Sequence, residues 1–171
     1  MNMDLKELTL KVCEVAQQAG AYIRKERAGF SHERVERKHQ HDYVSYVDKG
    51  SERMIVGALK ALLPETGFIT EEGLASHTDE QYLWVVDPLD GTTNFIHGFA
   101  PYAVSIALIR GSEIQIGVVY EVCADECFYA WKGGGAWLDG RSIHVGRSGL
   151  NDALLCLQLP YNSDAYKPVI I

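Results

Sequence analysis

Apolar residues at Leu5, Leu8, Val12, Ala16, Ala19 and Ile23 recur at helical spacing, so the chain begins with a long amphipathic helix. Asp4 and Glu7 are placed like a capping pair at its start, and Gly29 lies beyond its end. From Arg24 to His41, six Lys or Arg stand against three Glu without a clear period, which reads as an exposed connection. A second helix is expected over Ser45–Leu63. Ser45 can cap it, Asp48 favours its first turn, Val47, Ile55, Ala58 and Leu62 form an inward stripe, and Pro64 stops it.

Beyond Pro64 the pattern turns to strands. Gly67–Thr70 and Tyr82–Val86 are short β-rich runs that each end in acids. Ala103–Ile109, Glu113–Tyr120 and Glu126–Trp131 read as an antiparallel meander with Gly111-Ser112 at one turn, and Asp139-Gly140 after Trp137 marks a last hairpin. Two helices followed by about six strands imply a two-layer α+β architecture. Ala153–Leu159 is an almost wholly apolar run, as in a strand buried on both faces.

Composition narrows the function. The 171 residues carry 16 Lys+Arg against 23 Asp+Glu, a formal charge of −7. That balance disfavours nucleic acid and anionic membranes as partners, since both reward a positive field. The four cysteines (Cys13, Cys123, Cys127, Cys156) include no C-x-x-C pair and read as reduced packing thiols. His39 and His41 fall in the basic connection and read as surface groups, and no basic-aromatic alternation around Tyr43 and Tyr46 suggests RNA stacking. A charged N-terminus and the lack of a long apolar run point to a cytoplasmic protein.

The acids carry the chemistry. Between Ala61 and Ile109 stand seven acids and no Lys or Arg. Glu71 and Glu72 follow one short strand, Asp87 and Asp90 the next. If those strands are neighbours, three or four carboxylates meet at one spot. Such all-oxygen clusters suit hard divalent ions, above all Mg²⁺, whereas zinc would call for His or Cys. Asp-Pro-Leu-Asp-Gly is also a good turn and Glu-Glu-Gly a good loop start, so composition alone leaves metal and turn readings both open. Gly91-Thr92-Thr93-Asn94 follows at once, and its free backbone N–H groups can cradle a phosphate.

Here the sequence resembles the inositol monophosphatase family. Trp84-Val-Val-Asp87-Pro-Leu-Asp90-Gly-Thr-Thr-Asn-Phe95 is similar to the family's W-[IV]-[IV]-D-P-[IL]-D-G-T-x-N-[FY] signature without a mismatch. Asp42-Tyr-Val-Ser-Tyr-Val-Asp48 resembles its D-x-V-T-x-x-D element, with Ser45 for the usual Thr, and Phe68-Ile-Thr-Glu71-Glu72-Gly its strand ending in two glutamates. Gly133 to Trp137 resembles its G-x-G-A/G-[FW] hairpin, and Leu159-Pro160-Tyr161 lies near its mid-chain crossover.

The resemblance implies Mg²⁺-dependent hydrolysis of a small phosphate monoester, lithium sensitivity and a homodimer. It implies that Glu71, Asp87 and the Leu89 carbonyl hold one ion, and Asp87 and Asp90 a second. Thr92, hydrogen-bonded to Asp48, would orient an activated water, with Glu71 or Glu72 assisting. Substrate contacts fall to Asp90, Gly91, Thr92 and Thr93.

Family members run to roughly 260 residues or more, as two-subdomain chains do. Their second half carries a W-D-x-A-A-G element whose Asp completes the second metal site, and this sequence has none. The expectation is therefore the N-terminal half of a layered αβαβα sugar-phosphatase fold, with residues 1–150 as the metal-binding α+β subdomain and 151–171 as the start of a C-terminal one. The alternative is a truncated, inactive or weakly active relative acting as a metal-binding or oligomerising module.

Overall fold

The computed structural model describes residues 4–30, 35–39, 42–73, 76–77 and 80–154, with residues 35–39, 42–45, 76–77 and 150 described by backbone alone. Helix α1 spans Leu5–Ala28, and the Asp4 carboxylate caps it by accepting the Glu7 N–H at 3.1 Å. It ends at Ala28, four residues past the Arg24 where the exposed connection was expected to begin. Gly29 closes it by donating to the Arg27 and Glu26 carbonyls.

The basic connection also holds structure of its own. Strands β1 (Val35–His39) and β2 (Asp42–Ser45) pair antiparallel as a separate two-stranded ribbon. A ribbon that joins no larger sheet does not need an apolar face, so alternation gave no sign of it. Helix α2 follows directly as Tyr46–Leu62, close to the expected bounds.

The remaining strands are β3 (Gly67–Thr70), β4 (Ser76–His77), β5 (Tyr82–Asp90), β6 (Ala103–Arg110), β7 (Glu113–Glu121), β8 (Glu126–Trp131), β9 (Gly135–Leu138) and β10 (Arg141–Ile143), with the short helix α3 (Thr92–His97) after β5. They form one sheet of eight strands in the order β10-β9-β8-β7-β6-β5-β3-β4, where six strands were expected. The strand without a counterpart in that reading, β4, has two residues, too short to show a period, while β10, the far side of the expected Asp139-Gly140 hairpin, has three. Every pairing is antiparallel except β3 with β5, which run parallel.

Both long helices pack on the sheet, α1 across β6, β7 and β8 and α2 across β5. Their inward residues meet Trp84, Val86, Val104, Ile106, Leu108, Ile116, Val118 and Tyr120 in one core, which confirms the α+β class. Elsewhere on the sheet lies a shallow groove of about 260 Å³ whose lining includes Ala107, Gly117, Val119 and Phe128. The apolar run Ala153–Leu159 and the segment Leu159-Pro160-Tyr161 lie almost wholly outside the described residues; Ala153 and Leu154 are not in a strand.

Candidate active site

The parallel pairing of β3 and β5 builds the site. Its register sets Gly67 against Leu83, Phe68 against Trp84, Ile69 against Val85 and Thr70 against Val86. The next pair in step is therefore Glu71 and Asp87. The Glu71 N–H extends the ladder by donating to the Val86 carbonyl at 3.2 Å, which seats Glu71 beside Asp87. Two glutamates 15 or more residues from the aspartates thus arrive at one sheet end because the strands run the same way.

Strand β5 continues through Asp87-Pro-Leu-Asp90, four residues beyond its expected end at Val86. Strand propensities count against Asp and Pro, but the register with β6 shifts between Asp87 and Asp90, and Pro88 sits in that irregularity. Pro88 and Leu89 are buried, Asp87 is half-buried and Asp90 is exposed. Asp87 Oδ1 accepts the Leu89 N–H at 3.1 Å, which folds the carboxylate back over its own turn.

Gly91 then adopts φ +90°, a conformation open to glycine, and starts α3. A Cβ there would stand 3.2 Å from the Pro101 carbonyl oxygen and 3.3 Å from Tyr102 Cα, so the turn also depends on the missing side chain. No side chain caps α3, while Asn94 Nδ2 donates to the Pro101 carbonyl at 2.8 Å and holds the segment down. Thr92 and Thr93 are half-buried at its start.

Asp48 is fully buried in the first turn of α2, and its Oδ1 lies 2.9 Å from Thr92 Oγ1. Thr92 Oγ1 is equally 2.9 Å from the Leu89 carbonyl. One hydroxyl proton thus serves two acceptors, and both lie on the protein side of the threonine.

Electrostatically, the site is dominated by carboxyls around Asp87. Burial raises the Asp87 carboxyl above its ordinary value; contact with Glu71 and the Leu89 N–H pull it back, while Asp90 and Asp48 push it further up. Among the described residues, no set of three Asp, Glu, His or Cys side chains is gathered tightly enough to cage an ion by itself. The structure brings Glu71 and Asp87 together, with Asp90 and Asp48 as charged neighbours rather than as members of a closed triad. The groups acting on Asp87 are carboxyls and a backbone amide, a donor set that fits a hard, oxygen-seeking divalent cation and relieves its own repulsion by taking one. Glu72 is half-buried beside this pair, and the Leu89 carbonyl retains a second lone pair after meeting Thr92.

Sequence reasoning missed two residues. Ser51 and Glu52 are fully buried on the inner face of α2. Ser51 Oγ donates to the Pro88 carbonyl at 2.9 Å, and Glu52 Oε2 accepts the Glu72 N–H at 2.8 Å. The expected stripe of Val47, Ile55, Ala58 and Leu62 does face the core, with Ala58 and Leu62 packed against it at its edge, and Leu59, outside that stripe, is fully buried. The available signal was spacing, because Ser51 and Glu52 fall three and four residues after Asp48 and so share its face.

Comparisons with known proteins show the chain's family. The chain is 39% identical over 150 residues to an inositol-1-monophosphatase of Mesorhizobium japonicum, covering 86% of this chain and 56% of that protein. It is 39% identical over 137 residues to a fructose-1,6-bisphosphatase/inositol-1-monophosphatase of Aquifex aeolicus, covering 80% of this chain and 52% of the relative. Among solved structures, the extragenic suppressor protein suhB of Bartonella henselae superposes with a TM-score of 0.79 at 36% identity, over 83% of this chain and 55% of that one. The chain thus spans about half the length of the relatives it matches. With the family's profile matching residues 4–168, the chain belongs to the inositol monophosphatase family.

Proposed function

We propose that this chain carries the metal- and phosphate-binding half of a Mg²⁺-dependent phosphatase that hydrolyses small phosphate monoesters of the inositol phosphate kind. The observation that supports it most is the parallel β3–β5 register, which sets Glu71 beside Asp87 just ahead of the Gly91 turn. Glu71, Asp87, the Leu89 carbonyl and Asp90 would hold Mg²⁺. Bound there, the ion would neutralise phosphate charge and acidify the attacking water.

The chain's own residues would do the rest by positioning, which is most of what phosphoryl transfer asks of a protein. Thr92 gives its proton inward to Asp48 or the Leu89 carbonyl, so its outward lone pair can accept from a water and aim that water at phosphorus. Glu71 or Glu72, at the corner after β3, would take up the proton that the water sheds. The amides of Gly91 and Thr92, with Thr93 and Asp90 alongside, would receive the phosphate oxygens and the alcohol.

The same reading includes lithium sensitivity, a cytoplasmic location, a homodimer, and neither nucleic acid nor membrane as partner. No helix among the described residues is long and apolar enough to cross a membrane. A second reading, a metal-binding or self-associating module without turnover, draws on the half-length match and on the exposed apolar positions Ile69 and Val119 of the sheet.

The deciding experiment is phosphate release from inositol 1-phosphate with Mg²⁺, comparing the chain with Asp90→Asn. Release that the substitution suppresses supports hydrolysis. Equal rates in both proteins overturn it, and Mg²⁺ uptake without release favours the module.

A further inference from the structure

One face of α2 reaches every segment of the candidate site. Asp48, Ser51 and Glu52, all fully buried, contact the Thr92 hydroxyl, the Pro88 carbonyl and the Glu72 N–H at 2.9, 2.9 and 2.8 Å. Those three partners belong to the α3 start, the β5 irregularity and the corner after β3. Strand β5 links the same segments through the backbone, its Val86 and Leu89 carbonyls accepting from the Glu71 N–H and the Thr92 hydroxyl, while α2 does so through its buried side chains.

Burying a carboxylate and a hydroxyl on a helix face that could carry Leu and Ala is costly unless each has a specific task. A side chain chosen only to fill the core would be apolar, like Ile55 and Leu59 on the next turns of the same helix.

We propose that Glu52 and Ser51 are positioning residues: Glu52 fixes the Glu71–Glu72 corner, and Ser51 the Asp87–Leu89 turn, so that Glu71 stays beside Asp87. The proposal deepens the metal-dependent reading and rests on it. Neither residue is among the groups assigned above to the cation or the substrate. Glu52 acts through the backbone of Glu72, one residue from the Glu71 carboxyl; Ser51 acts through Pro88, one residue from Asp87.

The test uses Glu52→Leu, which keeps the bulk and removes the acceptor, and Glu52→Gln, which removes the charge and keeps an acceptor oxygen. Mg²⁺ binding is followed by calorimetry, fold by thermal melting, and the corner by hydrogen exchange at the Glu71 and Glu72 amides. Glu52→Leu is expected to weaken Mg²⁺ binding by about tenfold or more, the usual cost of removing a residue that orients a ligand. It should do so with a melting temperature equal to or above that of the parent and faster exchange at Glu72. Glu52→Gln should restore binding to within about threefold by the same logic, and Ser51→Ala should weaken it without loss of fold.

Parental Mg²⁺ affinity in Glu52→Leu overturns the proposal, as does equal loss in the Leu and Gln variants, which would make charge and not position the cause. A parent chain that takes up no Mg²⁺ defeats the metal reading instead. Exchange at Glu72 then decides the positioning alone: acceleration in Leu but not in Gln sustains it, and unchanged exchange in both ends it.

Discussion

Thr92 Oγ1 and Asp48 Oδ1 stand 2.9 Å apart although 44 residues separate them in the chain. The bond joins the first turn of α2 to the first turn of α3, and it directs the threonine proton away from the open side of the site. A hydroxyl held this way can only accept on its outer side, which is what an attacking water requires.

Replacing Thr92 by Val keeps its shape and removes that acceptor. Under the proposed hydrolysis, the rate of phosphate release should fall by about 10²-fold or more, with little change in Mg²⁺ affinity measured by calorimetry. Thr92→Ser restores the hydroxyl and should recover most of the rate. Full activity in the Val variant would remove Thr92 from the mechanism.

Mg²⁺ should stabilise the chain, because only the folded state sets Glu71 beside Asp87. At a concentration near 100 times its dissociation constant the gain is about 2.7 kcal/mol, or about 5–10 °C in melting temperature for a chain of this size. Asp87→Asn should abolish that shift in a thermal melt. A shift that persists in the variant would place the cation elsewhere.

Gly20 and Gly57 make a matched pair of helical glycines. A Cβ at Gly20 would stand 2.2 Å from Tyr120 Cε1, whereas one at Gly57 meets nothing within 4 Å. The Tyr120 ring cannot easily yield, since it is buried and its hydroxyl is bonded to Asp125 and to Arg24 Nη1. Alanine recovers about 1 kcal/mol of helix propensity at either site, but overpacking costs about 1–3 kcal/mol where the space is taken. Gly57→Ala should therefore raise the melting temperature, and Gly20→Ala should lower it by several degrees. The reverse order would refute the packing of α1 on β7.

Alkaline stability follows from the tyrosines. Burial and the neighbouring Cys123 thiol push Tyr102 up to about 12, and burial raises Tyr22, Tyr120 and Tyr129 as well, from an ordinary 10.0. Above pH 10 the unfolded chain releases these protons while the folded chain keeps them. The folded state then binds more protons, so stability falls as pH rises from 10 towards 12. Thermal melts across that range should show the decline, and Tyr102→Phe should make it shallower. A slope unchanged by the substitution would mean that Tyr102 ionises as freely as in the unfolded chain.

The sequence by itself determined whatever depends on neighbours along the chain. The 3.6-residue period of Leu8, Val12, Ala16, Ala19 and Ile23 wrote α1, alternation wrote the β6–β8 meander, and the unbroken Trp84–Phe95 motif named both the family and the acids worth watching. The Asp139-Gly140 turn was legible for the same reason, because its φ values of +47° and +81° are a local demand.

Tertiary structure decided what depends on partners far apart in the chain. The parallel register that sets Glu71 beside Asp87, and the burial of Asp48, Ser51 and Glu52 against three separate segments, follow from how α2, β3 and β5 pack. Periodicity treats a buried polar residue as an interruption of the inward stripe. Only the packed structure shows the distant donor or acceptor that makes such a residue belong there.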